Sequence, residues 1–460
     1  MKLIILLSWA VLIFPTALMA KSGEQKTTIY ISGYVDDPDI MNDSVILSVW
    51  DHFTSESKMW NVPHRQLIAH LDYSVGFFTF KITGVTQPVY FSMGKSMFRQ
   101  RLSPLLNLYL AEPGDSILMI NFGGKDVSFY GQGSAKYQCR FDLDRKTLFD
   151  KQLDDSTGQM ALLNKYRYRV NKKIFDIMRA DIIGKYYLLK CLELTYTSLD
   201  EKHWDKMRRN IFYNSSIEDS PDVLSFSRNY TAFLLMMTRL DNQFMAFKID
   251  QYNLLKRQYT GVLLDKLITI FFTENTNFLG DPTPELINAL SIVKTPWCNE
   301  QIQYIFDSRT VGQAAFNFSL PDTRGQLVRL TDFKGKIAFI DFWFTGCQSC
   351  REYYDVCLTK AEKKYRQDTS IVFISVSIDE NKEQWIKSVQ SAKYTSPDAI
   401  NLYTAGLGQE APVIKYYQIQ AYPTPMLIDR KGNILSTSFK LLKEDGLEAL
   451  LEKIDEALVK

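Results

Sequence analysis

A chain of 460 residues, 46% of them apolar and 23% charged, is long enough for more than one hydrophobic core, since domains commonly run about 100–200 residues. Its 54 basic and 52 acidic side chains leave a formal charge of +2, and the two signs are interspersed. No basic face for DNA or RNA follows from that pattern, so nucleic-acid binding is excluded as a reading.

Lys2 precedes an apolar run from Leu3 to Phe14, which Pro15 and Thr16 interrupt before Ala17-Leu18-Met19-Ala20 and polar Lys21-Ser22-Gly23. This order of charge, short apolar stretch and small residue predicts a cleaved signal peptide over 1–20, the alternative being an uncleaved anchor that Pro15 argues against. The expected location is therefore the periplasm, and with no cysteine beside the cleavage point a lipoprotein is not expected.

From 21 to 133 the pattern predicts a β-rich domain. Alternating runs at Thr28–Ile31, Ser44–Val49, Phe77–Ile82, Val89–Phe91 and Ser116–Ile120 are separated by turn formers such as Asp37-Pro38-Asp39 and Glu112-Pro113-Gly114-Asp115. Short strands with regular turns point to an antiparallel β-sandwich. His52, His64 and His70 fall here without ligand-like spacing, so no metal site is expected.

From 134 to 310 the apolar period becomes helical, as at Ile174, Ile177, Met178, Ile182 and Tyr186, and Asp281-Pro282-Thr283-Pro284 marks a helix start. An all-α middle domain is expected. Its many aromatics (Tyr166, Tyr168, Tyr186, Tyr187, Tyr196, Trp204, Phe212, Tyr213) are read as core packing between helices rather than as a binding groove.

From 311 to 460 strands and helices alternate, which predicts an α/β domain with a mixed sheet. A hairpin around Asp322-Thr323-Arg324-Gly325 comes first, then the nearly continuous apolar run Ile337–Phe344, suited to a buried central strand. A helix from about Cys350 to Tyr365, a strand at Ile371–Val376, a helix around Glu383–Val389, strands at Met426–Ile428 and Ile434–Ser436, and a helix from Asp445 to Leu458 complete the chain.

Cys347 and Cys350 lie where the apolar strand ends and a helix begins. At a helix N-terminus the unpaired N–H groups and the macrodipole favour a thiolate, so the first cysteine becomes a nucleophile near neutral pH. Two intervening residues put the second sulfur within bonding reach, so one cysteine can attack while the other resolves. Zinc needs two further ligands, and this domain has no His and only Cys357 besides. A static disulfide in so short a loop is the remaining alternative. The other cysteines, Cys139, Cys191, Cys298 and Cys357, are scattered and read as small buried thiols, with any pairing among them unassigned.

Asp341 interrupts the apolar strand six residues before Cys347. A carboxyl buried in such a run has its pKa raised unless it is paired.

The segment from Phe339 to Cys350, together with Tyr417–Asp429 and the Phe318-Ser319-Leu320-Pro321-Asp322 start, resembles the TlpA/ResA-like branch of the thioredoxin superfamily, over about the last third of the chain. More loosely, the N-terminal strands resemble the β-rich domain that precedes such modules in larger envelope proteins. The resemblance implies a thioredoxin-like fold and thiol:disulfide oxidoreductase activity without a dissociable cofactor. It implies a cis peptide bond before Pro423 beside the sulfurs, and proton exchange between Asp341 and Cys350. It implies as partners disulfide-containing envelope proteins and, because net reduction in an oxidising compartment needs electrons, a membrane thiol donor. Two departures stand out: Gly346 occupies a place where many relatives have Trp, and the acid Glu352 precedes by one residue, about 100° of helix, the place held here by Tyr353. A thiol peroxidase is the alternative enzyme, but Ile340 and Phe344 stand where its Pro and Thr would be. A non-enzymatic partner-binding scaffold is the other alternative, and the presence of both cysteines, Asp341 and Pro423 speaks against it.

Overall fold

The computed structural model describes residues 27–35, 44–52, 64–71, 76–96, 102–122, 126–149, 156–244, 250–275, 282–437 and 446–459. The signal-peptide segment 1–20 lies outside the described residues. Among them, no helix is long and apolar enough to cross a membrane. The chain divides into two compact units, Met1–Leu263 and Leu264–Lys460.

Among the described residues of the first unit, eight strands form two four-stranded sheets. β1 (Ile29–Val35), β4 (Phe77–Ile82), β7 (Ser116–Phe122) and β8 (Ser128–Gln132) lie in the order β4-β1-β7-β8; β2 (Ser44–Trp50), β3 (Arg65–His70), β5 (Val89–Ser96) and β6 (Leu102–Ala111) lie in the order β3-β2-β5-β6. Alternate residues of both sheets (Ile29, Ile31, Val45, Leu47, Val49, Phe78, Phe80 and Phe91) bury together in one core. The expectation of antiparallel pairing throughout is corrected at one place, where β1 pairs parallel to β7 (Ile31 opposite Ile117). Parallel neighbours cannot be joined by a tight turn, and these two are far apart in sequence. β6 escapes the sequence pattern because Pro104 interrupts it. As an outer strand it tolerates a residue that cannot donate to the ladder.

Helices follow from Ser134–Phe149 onward, and no strand occurs among the described residues between Ser134 and Thr310. In Lys172–Leu194 the helical spacing puts Ile174, Ile177, Met178 and Ile182 into a core with Cys139, Leu143, Leu163 and Tyr166. Trp204 is buried too, but Tyr168, Tyr196, Phe212 and Tyr213 are exposed, so the reading of the aromatics as core packing is corrected for those four. A helical period fixes which residues share a stripe; whether a neighbour covers the stripe is decided elsewhere in the chain.

The second unit carries the helices Thr283–Ile292 and Pro296–Arg309 and then an α/β fold. A small hairpin pairs β9 (Ser319–Pro321) with β10 (Leu327–Arg329), with Leu320 opposite Val328. The main sheet contains β11 (Ile337–Trp343), β12 (Ile371–Ser377), β13 (Ile400–Tyr403), β14 (Thr424–Ile428) and β15 (Ile434–Ser436), in the order β13-β12-β11-β14-β15. β11 is central and buried along its whole length, parallel to β12 and antiparallel to β14. Pleating sends Ala338, Ile340 and Phe342 into one core, with Val376, Met426 and Ile428. On the opposite face Ile337 and Phe339 pack with Tyr353, Cys357, Leu358 and the C-terminal helix Gly446–Val459.

Candidate active site

Beyond Trp343 the chain leaves the sheet through Phe344-Thr345-Gly346 and enters a helical run, 348–365, made of Gln348–Tyr353, a π turn at Tyr354–Leu358, and Thr359–Tyr365. Gly346 has φ 96°, a left-handed conformation that side chains with a Cβ rarely adopt. The turn therefore requires glycine where bulkier residues would strain it.

Cys347 caps the run: its Sγ accepts a hydrogen bond from the Cys350 N–H at 3.1 Å, while the Arg351 N–H donates to the Cys347 carbonyl at 3.2 Å. Cys347 and Cys350 are joined by a disulfide. Cys347 keeps 6% of its surface exposed and Cys350 only 1%. Both pack with Trp343, Trp385, Val389 and Tyr403. The Cys347 Sγ also lies 3.8 Å from the carbonyl oxygen of Tyr422, which is followed by Pro423 through a cis peptide bond. Pro423 is buried just ahead of β14, the strand that pairs with β11. The structure thus brings Cys347, Cys350 and the Tyr422–Pro423 step together.

Asp341 follows Phe339 and precedes Trp343 on one face of β11, so it sits under the helical run, between the aliphatic core and the cluster that holds the sulfurs. It is 2% exposed, and its Oδ1 has no hydrogen-bond partner. Burial raises its pKa well above the ordinary carboxyl value; a hydrogen bond from the Phe342 N–H opposes the shift, and the charge of Glu362 adds to it. Desolvation is the largest cause of this shift, as expected for a carboxyl set in an apolar strand. Glu352 is exposed and accepts a hydrogen bond from Gln348 Nε2 at 2.8 Å, whereas Tyr353 is buried.

The polar frame behind the cysteines was not read from the sequence. Asp379, just past β12, accepts from the Thr345 N–H at 2.9 Å, from the Thr345 hydroxyl at 2.7 Å and from the Ser377 hydroxyl at 2.9 Å. Thr345 Oγ1 also lies 2.7 Å from Ser388 Oγ, and the Gly346 N–H donates to the Tyr394 hydroxyl at 3.0 Å. Trp343 stacks on Tyr394 at 5.1 Å and donates from its indole to Ser375 Oγ at 2.6 Å. Thr345 is thus tied to the end of β12 and to the helix Lys382–Gln390, and Gly346 to the segment before β13. The only sequence signal was the polar end of the second strand, Ser375-Val376-Ser377-Ile378-Asp379. Asp379→Ala leaves the Thr345 N–H without its acceptor. It is expected to lower stability by about 1–3 kcal/mol and to speed alkylation of reduced Cys347, as read by urea unfolding and by iodoacetamide kinetics.

The four remaining cysteines are all buried and unpaired with one another. Burial pushes the thiols of Cys139 and Cys191 up to about 12 and that of Cys357 up to about 11, so none is a thiolate near neutral pH.

Residues 335–434 match a family model described as thioredoxin-like. The chain is 28% identical over 144 residues to a thiol-disulfide oxidoreductase, ResA, of Bacillus thuringiensis subsp. konkukian, covering 31% of this chain and 78% of that protein. It is 25% identical over 195 residues to the ResA of Geobacillus kaustophilus, covering 42% of this chain and 93% of that one. Among solved structures it is similar to a putative thiol-disulfide oxidoreductase from Bacteroides vulgatus, at 33% identity over 31% of this chain and 87% of that chain, with a TM-score of 0.27. Residues 335–434 of this chain are a thioredoxin-like domain, similar in sequence to thiol:disulfide oxidoreductases.

Proposed function

We propose that the protein is an exported thiol:disulfide oxidoreductase that reduces protein disulfides in the cell envelope by dithiol–disulfide exchange. The observation that carries this reading is the bonded pair itself: Cys347 caps the helical run at the end of the central strand, with a little surface exposed, and Cys350 is buried one turn on. In the reduced protein the Cys350 N–H and the helix N-terminus favour the Cys347 thiolate, which attacks a substrate disulfide and forms a mixed disulfide. Cys350 then attacks Cys347 Sγ and releases the reduced substrate. Asp341 takes the Cys350 proton. The backbone beside Pro423 pairs with an extended segment of the substrate, in the manner of strand addition.

The envelope location rests on the N-terminal segment, and the electrons for repeated turnover come from a membrane thiol donor. The reduction potential of the Cys347/Cys350 couple tests the direction of flow. A value near thioredoxin's, about −270 mV, is expected for a reductase, and one near −120 mV marks an oxidant instead.

A further inference from the structure

The helical run 348–365, the strands β11 and β12 and the segment before β13 leave a narrow cleft between them. Asp341, Tyr354, Glu362, Ser375, Tyr394 and Thr395 are among its lining. One of these, Asp341, is buried with its Oδ1 unpartnered. The cleft's other carboxyl is Glu362, half-buried, more than two helical turns beyond the π turn's first residue. Nothing in the dithiol chemistry above explains a second carboxyl at this place. We propose that Glu362 is the relay through which Asp341 exchanges its proton with water along this cleft. This rests on the reading of Asp341 as the proton acceptor for Cys350.

A buried acid that accepts a proton once per turnover must also lose it, and the sheet closes around Asp341 on its own strand and on both neighbours. In the resolving step the Cys350 thiol gives its proton to the Asp341 carboxylate. Its sulfur bonds to Cys347 Sγ, the bond from Cys347 to the substrate breaks, and the substrate sulfur leaves with the electron pair as a thiolate. The cysteine pair is oxidised and the substrate reduced. Asp341 then passes the proton to the Glu362 carboxylate, which releases it to water.

The groups that face Glu362 set its titration. Asp341 lies across the cleft on β11, Ser375 on β12 and Tyr354 on its own helix; Tyr394, Thr395, Ser396 and Asp398 come from the segment before β13. Asp398 is itself held by Arg366 at 3.3 Å. Burial and the Asp398 charge push Glu362 up to about 7, against a hydrogen bond with Ser396. It therefore gains and loses protons readily near neutral pH, as a relay requires. Glu362 is a positioning residue for the proton and does not touch the reacting sulfurs.

The test uses the whole protein, reduced, with glutathione disulfide as the oxidant, following resolution of the mixed disulfide by tryptophan fluorescence across neutral pH. Glu362→Gln is expected to slow resolution at least about threefold and to remove the ionisation near neutrality from the pH profile. Glu362→Asp restores both, and alkylation of reduced Cys347 is unchanged in either variant. The double variant with Asp341→Asn resolves no more slowly than Asp341→Asn alone. A Glu362→Gln protein with the unaltered profile, or additive losses in the double variant, overturns the relay. If Asp341→Asn itself resolves at the original rate, the role given to Asp341 fails and the relay with it; if Asp341→Asn is slow and Glu362→Gln is not, only the relay fails. Thermal midpoints of all variants separate these outcomes from misfolding.

Discussion

Cys350→Ser is expected to convert the protein into a trap, accumulating mixed disulfides with envelope proteins through Cys347. Cys347 keeps a small exposed surface and the capping position, so its attack survives the substitution. Release does not, because Cys350 is held 5.3 Å away between Cα atoms and acts intramolecularly. Effective molarities for well-placed groups reach about 10⁵ M or more, against external thiols at millimolar levels. Their ratio, about 10⁸, is the ceiling on the loss, and the release rate should fall by at least about 10³-fold. Cys347→Ser should trap nothing and turn over nothing, since the remaining sulfur is 1% exposed. Non-reducing gels of tagged variants, followed by reduction and mass analysis of the released partners, read both outcomes. Trapping through Cys350 in place of Cys347 would reverse the roles given to the two sulfurs and remove the basis for proton transfer to Asp341.

Asp341→Asn is expected to make the protein more stable and slower. The sign follows from linkage. The folded state raises the Asp341 pKa above its unfolded value of about 3.9, so between the two values the folded state binds more protons. Stability then falls as pH rises from the unfolded pKa and levels off above the folded one. The variant lacks that loss, so its advantage should be absent in acid and grow as pH rises above the unfolded pKa, until the folded pKa is passed. Each unit by which burial raises the Asp341 pKa is worth about 1.4 kcal/mol above the folded pKa, so a gain of at least about 1 kcal/mol is expected there. Urea unfolding at a series of pH values measures it. Resolution of the mixed disulfide should slow by about 10²-fold, the usual contribution of one acid–base group. A variant less stable at neutral pH than in acid, relative to the parent, would place Asp341 in a compensated environment and contradict its uncompensated burial.

Both expectations begin with features visible in the chain, because they are local. A carboxyl in the run Ile337–Phe344 and two cysteines three apart after it can be read without knowing what lies alongside. Strand and helix types were legible for the same reason: side-chain period is set by backbone geometry, and Phe77–Ile82 or Ile371–Ser377 carry that period whatever they pack against. The misses include β3, β8 and β13, and two others share a cause. β6 hides behind Pro104, which only an outer place in the sheet allows, and the parallel pairing of β1 with β7 joins segments with most of a domain between them.

The dithiol, the acid on the strand before it and most of the strands and helices around them are local properties of the chain, although β13 and the helix Pro412–Tyr416 escape the pattern. Packing of distant segments set Asp379 against Thr345, Tyr394 against Gly346 and Trp343, and Glu362 in one cleft with Asp341. It also decided which aromatics of the helical stretch lie in a core and which face solvent. The reason is physical. Period and spacing encode what a residue presents, whereas hydrogen bonds, desolvation and charge coupling depend on which distant segment folds against it, and no local pattern carries that partner.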